Sequence, residues 1–188
     1  YPETYEFLPY LKEAKTLENV QNIYDTVICV DVASIDRVVE NARDIFNSAG
    51  VTINIDHHKT NKGFAMYNHV LGGISSAGEV LYEMFEKNGI EITPEAARCL
   101  YVSILTDTGC FKYETVTPRT LEIASNLAKL GVDTSDIARK CYDLKPRAMV
   151  MFQAYCVSEA KFLCNDKIAY TIVRKKDMER FGAKDEHT

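Results

Sequence analysis

Three short apolar runs in this chain end in side chains that can do chemistry. Asp31 ends the first run, the triplet Asp56-His57-His58 ends the second, and Asp107 ends the third. Carboxylates together with imidazole suit a divalent cation, and an oxygen-rich donor set favours manganese or magnesium over thiolate-bound zinc. The pattern therefore predicts a metal site if the fold brings the three segments together.

The elements that carry these residues have the pattern of a parallel sheet. The runs over 26–31 and 51–56 are short and apolar, as in buried parallel strands, and helical spacing between them predicts a helix over 36–48. Such a βαβ unit has a right-handed crossover. Ligands of open parallel sheets bind outside the carboxyl ends of the strands. The sequence thus predicts an α/β fold, a parallel sheet with helices on both faces, and one edge that carries both acidic motifs.

Helix signals dominate the middle of the chain. Residues 59–74, with three glycines, read as a loop. Ser76 and Glu79 have the spacing of a capping box for a helix to about 87. Thr93 and Pro94 start a helix whose predicted inward side chains are Ala97, Leu100, Tyr101, Ile104 and Leu105, and which runs into Asp107. Further helices are predicted from Thr117-Pro118 to 130 and over 134–142.

The pattern changes near residue 145. A helical connector is predicted over 147–157, followed by a hairpin with strands over 160–163 and 168–174 around Asn165-Asp166. We therefore predict three segments: a first domain over 1–144, a connector over 145–158, and the start of a second α/β domain over 159–188.

Bulk composition excludes several classes of protein. The 188-residue chain is 46% apolar, as in ordinary globular proteins, and its net charge of −5 argues against a nonspecific nucleic-acid coat. No run approaches the ~18 apolar residues of a membrane span. The six cysteines form no CxxC pair, which favours reduced thiols and a cytoplasmic location.

Each acid also has a simpler interpretation when it is taken alone. Asp31 could cap a helix, and Asp107 could form a turn beside Gly109. All the simpler readings would have to hold at once beside a double histidine, so we prefer a metal site. Asp56 is better suited to orienting a histidine than to binding metal itself.

The motifs together resemble a known family. Val-Asp-Val-Ala over 30–33, Ile-Asp-His-His over 55–58 and Thr-Asp-Thr-Gly over 106–109 are similar to three of the four motifs of the DHH phosphoesterase superfamily. Within it, the chain resembles the bacterial branch that degrades very short oligoribonucleotides and dephosphorylates 3′-phosphoadenosine 5′-phosphate. That second likeness rests on Gly-Phe at 63–64, Ser-Ser-Ala-Gly-Glu at 75–79, Phe-Lys-Tyr at 111–113 and Thr-Pro at 117–118.

The resemblance implies a metal-ligand set and a chemistry. Asp31 would bridge two metal ions, and His57 and Asp107 would bind one of them. The family's reaction is two-metal hydrolysis of a phosphoester. Two Mn²⁺ ions are expected in the full-length protein, with Mg²⁺ or Co²⁺ as alternatives.

The same resemblance assigns roles around the metal ligands. His58 would face the substrate phosphate as a catalytic and substrate-binding residue, with Asp56 as its catalytic partner. Apart from the resemblance, Lys59, Asn61 and Lys62 follow the double histidine and could meet phosphate oxygens of the substrate, with a solvated loop as the equal alternative.

The family pattern extends beyond both ends of this chain. Its first motif, a His followed by two acids, is expected before residue 1, and the histidine-bearing motif of its C-terminal DHHA1 domain after residue 188. The chain is thus expected to be the interior of a longer protein, with residues 159–188 beginning the substrate-binding DHHA1 domain.

Three functions stay open from the sequence. The first is a phosphoesterase for short single-stranded RNA and nucleotides, without a membrane partner and with a homodimer as one assembly. The second is a related hydrolase of cyclic di-adenylate, linear dinucleotides or pyrophosphate. The third is a non-catalytic fragment or binding module.

Overall fold

The computed structural model describes residues 3–21 and 23–184 of the chain. These residues form two compact units, one over 6–138 and the other from the described parts of 1–5 and 139–188. The division falls after residue 138, whereas the sequence placed a boundary after 144. Assignment of the units to DHH and DHHA1 domains stays a prediction.

A three-stranded parallel sheet lies in the first unit. Its strands are β1 (Thr26–Val30), β2 (Val51–Asp56) and β3 (Tyr67–Val70), in the order β1-β2-β3. The register places Ile28 beside Ile53 and Ile55 beside His69. The predicted α/β fold with a parallel sheet is confirmed.

The prediction that 59–74 is entirely loop was wrong, because β3 lies inside it. This strand has only four residues, and the first three of its side chains are exposed. A short strand at the edge of the described sheet buries too little apolar surface to show a periodic pattern.

Strand β1 is less buried than the sequence predicted. Its exposure alternates along the strand, with Ile28 54% and Val30 43% exposed on the same face. The predicted helix over 36–48 is also interrupted: a 3-10 turn spans Ile35–Arg37, and α1 begins only at Glu40 and ends at Ser48.

The core of the first unit is built around one buried helix. Helix α3 (Pro94–Asp107) packs between α2 (Ala77–Lys87) and α4 (Pro118–Lys129), and α5 (Thr134–Ala138) completes the unit. The five side chains of α3 predicted to face inward are all buried, at 0–6% exposure. Both predicted starts at Thr-Pro are confirmed, because the side chains of Thr93 and Thr117 cap α3 and α4.

The second unit contains helix α6 (Arg147–Ser158), an antiparallel hairpin of β4 (Lys161–Leu163) and β5 (Ile168–Tyr170), and helix α7 (Lys175–Phe181). The predicted helix and hairpin are confirmed with shorter strands, and α7 was not predicted. Phe152 on α6 is 2% exposed and lies 6.2 Å from the ring of Phe181. No helix among the described residues is long and apolar enough to cross a membrane.

Candidate metal centre

Asp31 lies at the carboxyl end of β1 in a strained backbone conformation. Its φ is +62°, in the left-handed region that Asp tolerates better than most non-glycine residues. Its backbone N–H donates to the carbonyl of Ile55 at 2.9 Å, which extends the pairing with β2 by one residue. Non-glycine residues in this region cluster at functional sites, where the surrounding structure holds them.

His57 lies next to this carboxylate, with its ring fixed from behind. Its Nδ1 is 3.1 Å from the carbonyl oxygen of Ile74, and its Nε2 is 3.3 Å from Oδ1 of Asp31. Because a carbonyl oxygen only accepts, Nδ1 must carry the proton in this hydrogen bond. Neutral His57 therefore points a lone pair at the Asp31 carboxylate. Two acceptors this close need a cation or a proton between them.

Asp107 completes the set from the last residue of α3. Its Oδ2 is 3.9 Å from Nε2 of His57. Burial raises the pKa of Asp107, the nearby Asp31 carboxylate raises it further, and the two histidines lower it in part. The C-terminal end of a helix is also unfavourable for a negative charge. A divalent cation would offset both costs, so this donor set fits a metal ion.

The turn after α3 holds Asp107 in place. Gly109, Cys110 and Phe111 all have φ between +55° and +63°, a left-handed run that costs free energy. The buried Thr108 hydroxyl fixes it, donating to the Ile104 carbonyl at 2.6 Å and accepting from the Phe111 N–H at 3.0 Å. A Cβ at Gly109 would lie 2.5 Å from the ring of Tyr113. This close approach explains the glycine in Thr-Asp-Thr-Gly.

His58 is held by a different acid. Its Nδ1 lies 2.7 Å from Oδ1 of Asp56, which is fully buried, and 3.8 Å from Oδ1 of Asp31. Burial raises the pKa of Asp56, but hydrogen bonds from His58 and Asn61 outweigh it, so that the net pKa is lowered. Ionised Asp56 therefore orients His58 with Nδ1–H toward itself, which leaves Nε2 for another partner.

Asn61 has a positioning task that its sequence context did not indicate. Its amide nitrogen lies 2.6 Å from Oδ2 of Asp56, 2.7 Å from Oδ1 of Asn54 and 3.1 Å from the Val32 carbonyl. Its amide oxygen accepts from the Gly63 N–H at 2.8 Å. The side chain thus ties β2 to the loop after it, and a substrate contact by Asn61 stays a prediction.

A buried carboxylate supports the metal centre from α2. Glu79 is 3% exposed and accepts hydrogen bonds from the hydroxyls of Ser75 and, at 2.9 Å, of Thr120 on α4. Ser75 follows Ile74, whose carbonyl fixes His57. The predicted capping box is only half formed: the Ser76 hydroxyl accepts from the Glu79 N–H, while the Glu79 side chain reaches other partners.

The structure brings the sequence-predicted residues together. One ligand atom from each of Asp31, Asp56, His57 and His58 falls within 4.8 Å of the others. Asp107 lies beside this group, with its Oδ2 3.9 Å from Nε2 of His57. Sequence reasoning missed Asn54 and Glu79, and the only signal for Asn54 was a polar residue between two isoleucines of a buried strand.

Comparisons with known proteins identify the family of the chain. Residues 3–104 match the DHH family, N-terminal domain. The chain is 32% identical over 162 residues to the "Probable bifunctional oligoribonuclease and PAP phosphatase NrnA" of Streptococcus mutans, covering 86% of this chain and 51% of that protein. It is 30% identical over 133 residues to the "Manganese-dependent inorganic pyrophosphatase" of Methanothrix thermoacetophila, covering 68% and 40% of the two chains.

A solved structure is similar over almost the whole chain. The crystal structure of an exopolyphosphatase-related protein from Bacteroides fragilis superimposes with a TM-score of 0.91 at 25% identity. The match covers 99% of this chain and 57% of that one. This chain therefore spans about half the length of the relatives that it matches.

Proposed function

Because the chain belongs to the DHH family, we propose that the full-length protein is a metal-dependent phosphoesterase. Its proposed substrates are short oligoribonucleotides, which it would degrade as an exonuclease, and 3′-phosphoadenosine 5′-phosphate. The proposed metal is manganese, with magnesium or cobalt as alternatives.

One observation carries the proposal. His57 Nε2 lies 3.3 Å from Asp31 Oδ1 while Nδ1 is held by a carbonyl oxygen. Asp107, whose pKa is raised by burial and by Asp31, approaches the same nitrogen. We assign these three side chains as metal ligands, with Asp31 as the candidate bridge between two ions.

The chemistry divides between the metal and the protein. Bound divalent ions would lower the pKa of an attacking water and neutralise charge on the phosphoryl oxygens. Ile74 orients His57 through its carbonyl. Asp56 holds His58 through Nδ1, which leaves Nε2 for a phosphate oxygen. Asn61 fixes Asp56.

The substrate class rests on relatives and motifs. The name of the Streptococcus mutans relative specifies an oligoribonuclease and PAP phosphatase, and similarity to that protein supports the same substrates here. The similarity to a manganese-dependent inorganic pyrophosphatase supports the second candidate, hydrolysis of pyrophosphate. Cyclic di-adenylate remains an alternative substrate within the family.

The test is a substrate profile of the full-length protein after metal removal. Manganese should restore hydrolysis of diadenylate and of 3′-phosphoadenosine 5′-phosphate, with much less action on cyclic di-adenylate or pyrophosphate. Preference for pyrophosphate would select the second candidate. Absence of hydrolysis of all four compounds with manganese, magnesium or cobalt would favour a non-catalytic binding module.

The proposal also includes a cytoplasmic location and a homodimeric assembly. No two of the cysteines in the part of the chain that the structure describes are assigned to a disulfide, which supports a reducing cytoplasm as the proposed location. A homodimer is retained as an expected assembly and is testable by light scattering.

A further inference from the structure

A cavity of about 440 Å³ lies beside His58. Its lining includes His58, Lys59, Asn61 and Lys62 from the segment after β2, Val70 at the end of β3, and Gly72 in the loop after β3. His58 therefore belongs both to the proposed metal centre and to this cavity, which we call the lysine cavity. A molecule whose phosphate meets His58 has space here for a neighbouring group.

The charge of the lysine cavity is opposite to that of the metal centre. The described residues that line the cavity include two lysines, Lys59 and Lys62, and no carboxylate. The whole chain, in contrast, has a net charge of −5. The cavity lining also contains no Phe or Tyr on which a base could stack. Two ammonium groups, amides and an imidazole suit an anion with several oxygens.

The stem of Lys59 is packed against the loop that follows β3. A Cβ added at Gly72 would lie 3.3 Å from Cα of Lys59, and one added at Gly73 would lie 3.0 Å from its Cε. The N–H of Gly73 also donates to the carbonyl of His57 at 3.2 Å. Two glycines thus let Lys59 lie along this loop, with its ammonium group exposed at the end of the packed stem.

The segment that carries both lysines is fixed by hydrogen bonds. The backbone N–H of Asn61 donates to the carbonyl of His58 at 3.1 Å, and its amide oxygen accepts from the N–H of Gly63 at 2.8 Å. The buried Asp56 anchors the same amide group. Because this segment is already ordered, an anion need not pay to order it on binding.

We propose that the lysine cavity binds a second phosphate of the substrate, one that is not hydrolysed, through Lys59 and Lys62. The inference rests on the proposed phosphoesterase activity and adds a determinant of substrate choice. A nucleotide with two phosphates would engage the metal centre and the lysine cavity at once. A substrate with a single phosphate would use only the metal centre.

The experiment compares three diadenylates in the full-length manganese-loaded protein: unphosphorylated, 5′-phosphorylated and 3′-phosphorylated. All three share one phosphodiester and differ only in the extra phosphate, and chromatography of the products reports cleavage of the phosphodiester separately from loss of the extra phosphate. Lys59→Ala, Lys62→Ala and the double variant are measured beside Lys87→Ala, which removes an exposed lysine from the last turn of α2. Lys59→Arg tests whether positive charge is enough.

We expect the wild type to favour at least one phosphorylated diadenylate over the unphosphorylated one. Each single variant should raise KM for that substrate by about tenfold and the double variant more, with kcat nearly unchanged. KM for unphosphorylated diadenylate should stay at the wild-type value, as should both constants in Lys87→Ala. Added salt should weaken the preference, and Lys59→Arg should restore most of it.

Two results would overturn the lysine cavity while leaving the proposed function intact. One is a wild type that hydrolyses all three diadenylates with equal KM. The other is lysine variants that change all three substrates equally. Failure of the proposed function itself has a different signature, because the wild type would then hydrolyse none of the three.

Discussion

The metal-ligand cluster and the lysine cavity, which share His58, differ in charge, in burial and in the contacts that hold their side chains. On one side, Asp56 is fully buried and His57 has 17% of its side chain exposed, and both are held by hydrogen bonds to other parts of the first unit. On the other side, Lys59 and Lys62 are exposed on an ordered loop. We call the metal-ligand cluster the acidic side of His58 and the lysine cavity its basic side. Loss of a side chain should therefore reduce turnover on the acidic side and substrate affinity on the basic side.

This contrast follows from what each ligand requires. A divalent ion needs several donors at fixed positions, so each donor must be oriented by a further partner. A phosphate group in solvent can be held by flexible ammonium groups, which act as point charges. The segment over 56–62 contributes to both the metal centre and the lysine cavity. Within it, the Asn61 side chain contacts Asp56 through its amide nitrogen and the Gly63 N–H through its amide oxygen.

His57→Ala should give the largest effect. Without Nε2, the metal loses a ligand and Asp31 loses its neighbour, so turnover should fall by more than about 10²-fold. Bound manganese, measured by mass spectrometry after dialysis, should fall in parallel, and added manganese should rescue activity only in part. His58→Ala is the matched control, and it should lose turnover while keeping its manganese. Full metal occupancy and near-normal turnover in His57→Ala would remove this residue from the metal site.

Asp56→Asn should have the next largest effect, because Asp56 orients His58, which belongs to both the metal centre and the lysine cavity. The amide has no negative charge and can present an N–H toward Nδ1 of His58, so His58 should lose its orientation. We expect turnover to fall by about 10–100-fold, with manganese content retained. If manganese were lost as completely as in His57→Ala, Asp56 would have to be counted as a metal ligand.

Glu79→Ala should weaken the acidic side from a distance. It leaves the Ser75 and Thr120 hydroxyls without their acceptor, and the free energy of unfolding should fall by about 1–3 kcal/mol. Manganese affinity should fall by about tenfold, because Ile74 then holds His57 less firmly. Glu79→Gln should recover part of both losses.

The matched control for Glu79 lies one turn further along α2. Glu83 is partly exposed and pairs with Arg119 at 3.4 Å. Glu83→Ala should change the free energy of unfolding by less than about 1 kcal/mol and leave manganese affinity unchanged. Equal losses of manganese affinity in both variants would show that α2 stability, and not the position of His57, controls the site.

Gly73→Ala should give the smallest effect, confined to the basic side. Gly73 has φ +96° and Gly131 has φ +92°, but only a Cβ at Gly73 meets a neighbour, the Lys59 stem. Both alanine variants should lose about 1–2 kcal/mol of unfolding free energy from the left-handed backbone. Only Gly73→Ala should also raise KM for the preferred phosphorylated diadenylate. Equal KM values in the two variants would show that Lys59 does not contribute to phosphate binding.

The acidic side could be largely predicted from the sequence, because its residues end apolar elements. Asp31, His57 and Asp107 are each adjacent to a strand or helix whose apolar pattern is visible, and parallel topology then places strand ends together. The left-handed φ of Asp31 could not be predicted, since it depends on pairing of its N–H with Ile55.

The supporting contacts could not be predicted, because their partners are distant in the sequence. The Ser76–Glu79 spacing correctly gave the start of α2 but implied a local capping role for the Glu79 side chain. One of its two actual partners is the nearby Ser75, and the other, Thr120, lies 41 residues away on another helix. Likewise, β3 became visible only in the structure, where Tyr67–Val70 pairs with β2 and sets the loop against Lys59.

The most direct test of the central claim is a crystal structure of the full-length protein grown with manganese, with diffraction data collected at the manganese absorption edge. We expect an anomalous peak within coordination distance of Nε2 of His57 and of carboxylate oxygens of Asp31 and Asp107. Asp56 should remain bonded to His58 and should not reach the metal. A manganese-dependent enzyme whose anomalous peaks all lie away from these three side chains would contradict the account.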